Sequence, residues 1–108
     1  MYDKSQLMRG TLEGAILKIL SKEENYGYEI MVHLQKYGFE ELKEGTIYPL
    51  LIRLEKKGMI QGEFKPSPLG PDRKYYTISE EGEEYLKEFE LCWKMVEESM
   101  NRILEGDD

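Results

Sequence analysis

The sequence predicts a mainly α fold with a β-hairpin wing, a winged helix-turn-helix followed by one long C-terminal helix. Three observations predict it. Residues 26–37 and 44–58 read as successive amphipathic helices separated by a short connector, the order of a helix-turn-helix. After Gly58 the apolar spacing shortens to that of strands, around a stretch rich in proline. From Ser79 onward helical spacing returns and runs to the end of the chain. Composition changes at the same place, so residues 1–79 are assigned to the winged domain and residues 80–108 to the last helix.

Residues 5–22 form the first predicted helix. Leu12, Ala15, Ile16, Ile19 and Leu20 make its buried stripe, and Gly10 and Gly14 share one side, four residues apart. Two such glycines allow close approach of another helix or of a ligand. Lys22 to Asn25 is a polar break. The second helix opens at Tyr26, buries Ile30, Met31 and Leu34, and stops at Gly38. His33, the lone histidine, has no catalytic or metal-ligand spacing to a carboxylate or cysteine and reads as a surface residue. The connector Phe39 to Lys43 has room for a short strand.

The third helix has two different sides. Ile47, Leu50, Leu51 and Leu54 make an apolar stripe. Gly45, Pro49, Arg53 and Lys56 point the other way, flanked by Thr46, Tyr48 and Lys57. Thr46 is the expected N-cap, which sets Pro49 in the first turn, and Gly58 suits the position just past the end. A helix anchored on one side, with small, aromatic and basic residues on the other, can enter a DNA major groove. Met59, Ile60, Phe64, Tyr76 and Ile78 fit strands over 59–65 and 73–78. Pro66 to Asp72 is the expected hairpin loop, because three prolines and a glycine cannot continue a ladder. Lys65, Arg73 and Lys74 gather at its base.

Ser79 is the N-cap of the last helix, with Glu80, Glu81, Glu83 and Glu84 near its positive end. Leu86, Phe89, Trp93, Val96, Met100 and Ile103 recur at alternating steps of three and four, a heptad seam that Tyr85, Cys92, Met95 and Leu104 widen. So wide a stripe on so small a domain calls for a second copy of the chain, a homodimer. Glu105 to Asp108 is expected to fray.

The net charge of −7 disfavours a nucleic-acid partner only until its placement is considered. Residues 80–108 carry three basic against eleven acidic side chains. Residues 43–79 carry seven against four, so the central helix and the wing are the basic part. The lone Cys92 excludes an intrachain disulfide and is compatible with a reducing cytoplasm. No signal-peptide pattern or membrane-length apolar run is present, which argues against a membrane partner.

Five fragments stand in a recognisable order: Arg9-Gly10-Thr11-Leu12-Glu13, Tyr26-Gly27-Tyr28-Glu29-Ile30, Gly45-Thr46-Ile47-Tyr48-Pro49-Leu50-Leu51, Arg53-Leu54-Glu55 and Gly70-Pro71-Asp72-Arg73-Lys74-Tyr75-Tyr76. Together they resemble the PadR family of bacterial transcriptional regulators, in its smaller form with a single C-terminal helix. The resemblance runs from about residue 7 to residue 104. It implies a dimeric repressor on a two-fold-related double-stranded operator. Carried over, Gly45, Thr46, Tyr48, Pro49 and Arg53 would face the groove and its phosphates. Lys56 and Lys57 would lie near the backbone, and Arg73 and Lys74 would serve the wing. Some small relatives bind flat aromatic compounds at the dimer centre, between tryptophans. Trp93 stands at the matching position, with Met8, Gly14 and Met100 as expected walls and Glu97 as an acid that favours a cationic effector.

No phosphate-binding glycine loop, no nucleophile with a histidine at a recognisable spacing and no metal-ligand cluster is present. The sequence therefore predicts neither an enzyme nor a cofactor. The competing reading is a winged helix that binds only proteins. Such a domain has no need of cations on both the third helix and the wing.

Overall fold

In the computed structural model, residues 1–106 are described. The predicted first helix is broken. Asp3 caps α1 (Lys4–Met8) by accepting from the Ser5 amide, and a 3₁₀ turn at Arg9–Thr11 leads into α2 (Leu12–Lys22). Gly10 favours the break, and the Thr11 hydroxyl donates to the Met8 carbonyl at 2.6 Å. Helix α2 buries Leu12, Ile16, Leu17 and Leu20. Leu17 lies off the predicted stripe. It is buried because α2 is packed by α3 and β3 as well as by the last helix.

The connector at 39–43 holds no strand. The third strand is instead β1 (Asn25–Tyr26), formed by the last residue of the predicted polar break and the first of the predicted second helix, antiparallel to residues 75–76. Next comes α3 (Gly27–Lys36), followed by Gly38 at φ 115°, which a side chain would strain. Its inner residues are those predicted, Ile30, Met31 and Leu34. His33 does have a carboxylate neighbour, Glu29, one turn back at 3.9 Å, an ordinary i, i+4 pair.

Helix α4 (Glu44–Lys56) begins earlier than predicted. Lys43 is its N-cap, and the Thr46 amide already donates to the Lys43 carbonyl at 2.9 Å. Pro49 therefore sits in the second turn, on the exposed side, where water can take the Gly45 carbonyl that has lost its helical donor. Ile47, Leu51 and Leu54 are fully buried. Gly58, at φ 77°, ends the helix, with the Met59 amide donating to the Leu54 carbonyl.

Strands β2 (Ile60–Ser67) and β3 (Gly70–Ile78) are longer than predicted, with only Pro68 and Leu69 between them. The sheet order is β1-β3-β2. The prolines are accommodated rather than excluded: Pro66 sits at a register irregularity on the edge strand, and Pro71 lies beyond the reach of β1.

Ser79 caps α5 (Glu80–Glu105) as predicted. Its hydroxyl accepts from the Gly82 amide at 3.0 Å and donates to the Gly58 carbonyl at 2.6 Å, tying α5 to the end of α4. Leu86 is buried and Phe89 packs against the core, but every described residue from Glu90 onward is exposed. At 1.5 Å per residue α5 spans roughly 39 Å, and its outer half stands clear of the domain. Glu105 is its last residue and Gly106 its left-handed cap. The fraying expected of Asp107 and Asp108 lies outside the described residues.

Candidate nucleic-acid interface

Gly45, Pro49, Ile52 and Lys56 follow one another at steps of four, three and four and make the middle of the solvent side of α4, all exposed. Thr46 and Arg53 lie along one flank and Tyr48 along the other. Ile52 was missing from the predicted set. Its spacing between Pro49 and Lys56 was the available signal, masked by its apolar side chain, which fits neither the buried stripe nor a basic side.

Tyr48 is only partly free. Its ring lies against α3 over Gly27, where an added Cβ would come within 2.6 Å of Cε1. Gly27 thus sets how closely α3 and α4 cross. Burial of the ring, and then the Glu44 carboxylate, push the Tyr48 hydroxyl above its ordinary range, so it stays protonated.

The cations divide into two groups. Arg53 Nε lies 2.9 Å from Glu13 Oε2, and Lys57 Nζ 4.0 Å from the same oxygen. Lys65 Nζ is 2.7 Å from Glu24, and Lys74 Nζ 2.9 Å from Glu55. The hydrogen bonds that Lys65 and Lys74 donate to Glu24 and Glu55 raise both lysines above their ordinary values. Lys74 departs most from expectation. Instead of reaching outward it is half-buried, lies over Gly62, and joins the wing to α4 through Glu55. By contrast, Lys56 and Arg73 have no carboxylate within salt-bridge distance among the described residues. The Arg73 guanidinium lies 4.5 Å from the centre of the Tyr26 ring, which meets Tyr75 edge-on. This stack holds a charged group at the base of the wing while leaving its hydrogen-bond donors open.

Along α5, Trp93, Val96, Met100 and Ile103 are 46, 54, 45 and 70% exposed. Leu86, counted on the seam from its spacing, is spent on the chain's own core, and Met95 lies two residues from Trp93 and so on the far side of the helix. Gly14 is not open to a ligand: it is buried under the Phe89 ring, into which an added Cβ would run. Met8 lines a separate cleft with Tyr2, Leu12, Phe39 and Thr46. Glu97 and Met100 share the exposed side of α5 with Trp93.

A helix-turn-helix with a three-stranded wing, its basic residues on the third helix and the wing base, defines a winged-helix DNA-binding protein. Residues 16–88 match the model of the transcriptional regulator PadR-like family. The chain belongs to this family and is a DNA-binding transcriptional regulator, not an enzyme. It is 50% identical to a PadR-like transcriptional regulator from Bacillus cereus, over 95% of this chain and 100% of that one, with a TM-score of 0.86. A Streptococcus transcriptional regulator is 44% identical over 91% and 96% of the two chains, with a TM-score of 0.82. A PadR family regulator from Eggerthella lenta is 34% identical over 93% and 87%, with a TM-score of 0.84. An uncharacterized protein of Lysinibacillus sphaericus is 34% identical over 95% of this chain and 96% of its own. No helix among the described residues is long and apolar enough to cross a membrane.

Proposed function

We propose that the chain acts in the cytoplasm as a homodimeric repressor that binds a two-fold-related operator. Helix α4 enters the major groove, the wing follows the phosphates, and α5 dimerises. The observation that carries the dimer is the apolar line of Trp93, Val96, Met100 and Ile103, bare in the single chain and positioned on a projecting helix. Phosphate contact falls first to Lys56 and Arg73, which among the expected contact residues on α4 and the wing have no carboxylate partner. Arg53, Lys57 and Lys74 reach DNA only by leaving Glu13 and Glu55. In a mobility-shift assay on the protein's own upstream region, Arg73→Ala should weaken binding to all sequences alike. It should also lower the slope of log affinity on log salt by about one unit per half-site. Unchanged affinity and slope would take Arg73 out of the interface.

The same dimer would hold a flat aromatic effector, preferably cationic, between two Trp93 indoles, with Met100 beside it and Glu97 supplying charge. The Met8 side chain would have to reach this centre from the other chain, and Gly14, filled by Phe89, takes no part. Such a ligand regulates only through unequal affinity for two dimer geometries. Trp93 is the single tryptophan, so planar aromatic cations should quench its emission, and Glu97→Gln should weaken them more than neutral analogues. Constant emission up to ligand solubility would remove the effector site.

A further inference from the structure

We infer that Ile52 reads the C5-methyl groups of thymine in the operator and thereby sets sequence preference at the centre of each half-site. The inference rests on the reading of α4 as the major-groove helix. Ile52 is 53% exposed, between Pro49 and Lys56 on the outward line of that helix. The core does not need it, since Ile47, Leu51 and Leu54 already close the inner side with no exposure at all. Nor does local structure favour it, because a β-branched residue on an exposed helix surface is a weaker helix former than leucine or lysine.

What singles out this isoleucine among exposed apolar residues is what surrounds it. Gly45 and Pro49, the residues before it on the line, carry no side-chain hydrogen-bond donor or acceptor. Arg53, the neighbour best suited to a guanine edge, is held by Glu13 at 2.9 Å. Thr46 and Tyr48 stand at the margins, and the Tyr48 ring is committed to Gly27. From Gly45 to Ile52 the middle of the surface that meets the bases is therefore apolar, with Lys56 closing the line at its C-terminal end. The one apolar group on the major-groove edge of any base pair is the thymine methyl. An isoleucine there discriminates by filling or failing to fill that contact.

The test uses the full chain and a duplex selected by the wild-type protein from a random-sequence library. Thymines of that duplex are replaced one at a time by deoxyuridine, which removes only the methyl group. Wild-type affinity should fall about fourfold per half-site at one or two positions, the value of one buried methyl-sized group. Ile52→Ala should bind those duplexes and the parent alike, with an unchanged salt slope, and Ile52→Val should keep the sensitivity. Because Ile52 is outside the core, the variants fold as the wild type does, which circular dichroism checks. Equal sensitivity of wild type and Ile52→Ala at every position, or none in the wild type, overturns the assignment while leaving DNA binding intact. A wild-type protein that selects no duplex overturns the major-groove reading of α4 and this inference together.

Discussion

Val96→Asp should leave the chain folded and monomeric. In the single chain Val96 is 54% exposed on the projecting half of α5, so the new carboxylate is solvated and the core is untouched. On the proposed seam the same carboxylate is taken out of water close to its two-fold mate, a like charge with no cation on the seam to pair it. An unpaired buried charge costs several kcal/mol, so dimerisation should weaken by about a thousandfold or more. Sedimentation equilibrium should report a monomer while the thermal midpoint of its circular dichroism reflects an intact winged domain. Affinity for the two-fold operator should drop with it, since each winged domain then binds alone and the advantage of linked half-sites is gone. A Val96→Asp protein that sediments as a dimer would place the interface on another surface.

Gly82→Ala should be the most damaging of the glycine-to-alanine changes, because its obstacle is backbone. A Cβ at Gly82 would run into the Met59 carbonyl oxygen and meet Ile78 Cγ1 at 2.7 Å. The obstacle is backbone, and that carbonyl is already fixed by the Ser79 amide at 3.0 Å. Neither partner can rotate away, so α5 must lift from the junction of α4 and β2. The Ser79 hydroxyl contacts to Gly82 and Gly58 stretch as it does. Overpacking of this kind costs about 3 kcal/mol. Urea denaturation should show a lower midpoint with little change in slope. Gly10→Ala is the control: nothing lies within 4 Å of the Cβ and φ is not positive, so the change should be neutral or mildly stabilising. Equal midpoints for Gly82→Ala and wild type would mean that α5 can shift freely on the domain, and that its position is not what orients the two winged units.

Most elements were legible because their signals are local. The inner sides of α3 and α4, the Gly38 and Gly58 stops and the Ser79 cap each follow from residues within two turns of one another. Two elements were not legible for the same reason. Strand β1 is two residues long, too short for any period, and exists only because β3 offers it a partner fifty residues away. The 3₁₀ turn at Arg9–Thr11 is held by the Leu12 amide on the Arg9 carbonyl and by the Thr11 hydroxyl on the Met8 carbonyl, bonds that are silent in a hydrophobic pattern. Prolines at 66, 68 and 71 predict a seven-residue wing turn, but a register irregularity on the edge strand accommodates Pro66, and Pro71 lies beyond the reach of β1.

By itself the sequence determined the order of elements, the family, the basic character of α4 and the wing, and the apolar line of α5. Each depends on residue type at fixed spacing along one helix or hairpin. Only the tertiary structure decided which of those residues are available. Glu13 meets Arg53 across forty residues and Glu24 meets Lys65 across forty-one, so pairing between cation and carboxylate had no trace in local pattern. The same holds for Gly14, whose lack of a side chain is taken up by Phe89, and for Lys74, drawn inward by Glu55. Coulomb attraction and close packing act through space. That Lys56 and Arg73 keep their charges clear of carboxylates while Arg53, Lys57, Lys65 and Lys74 do not emerges only once the chain has folded back on itself.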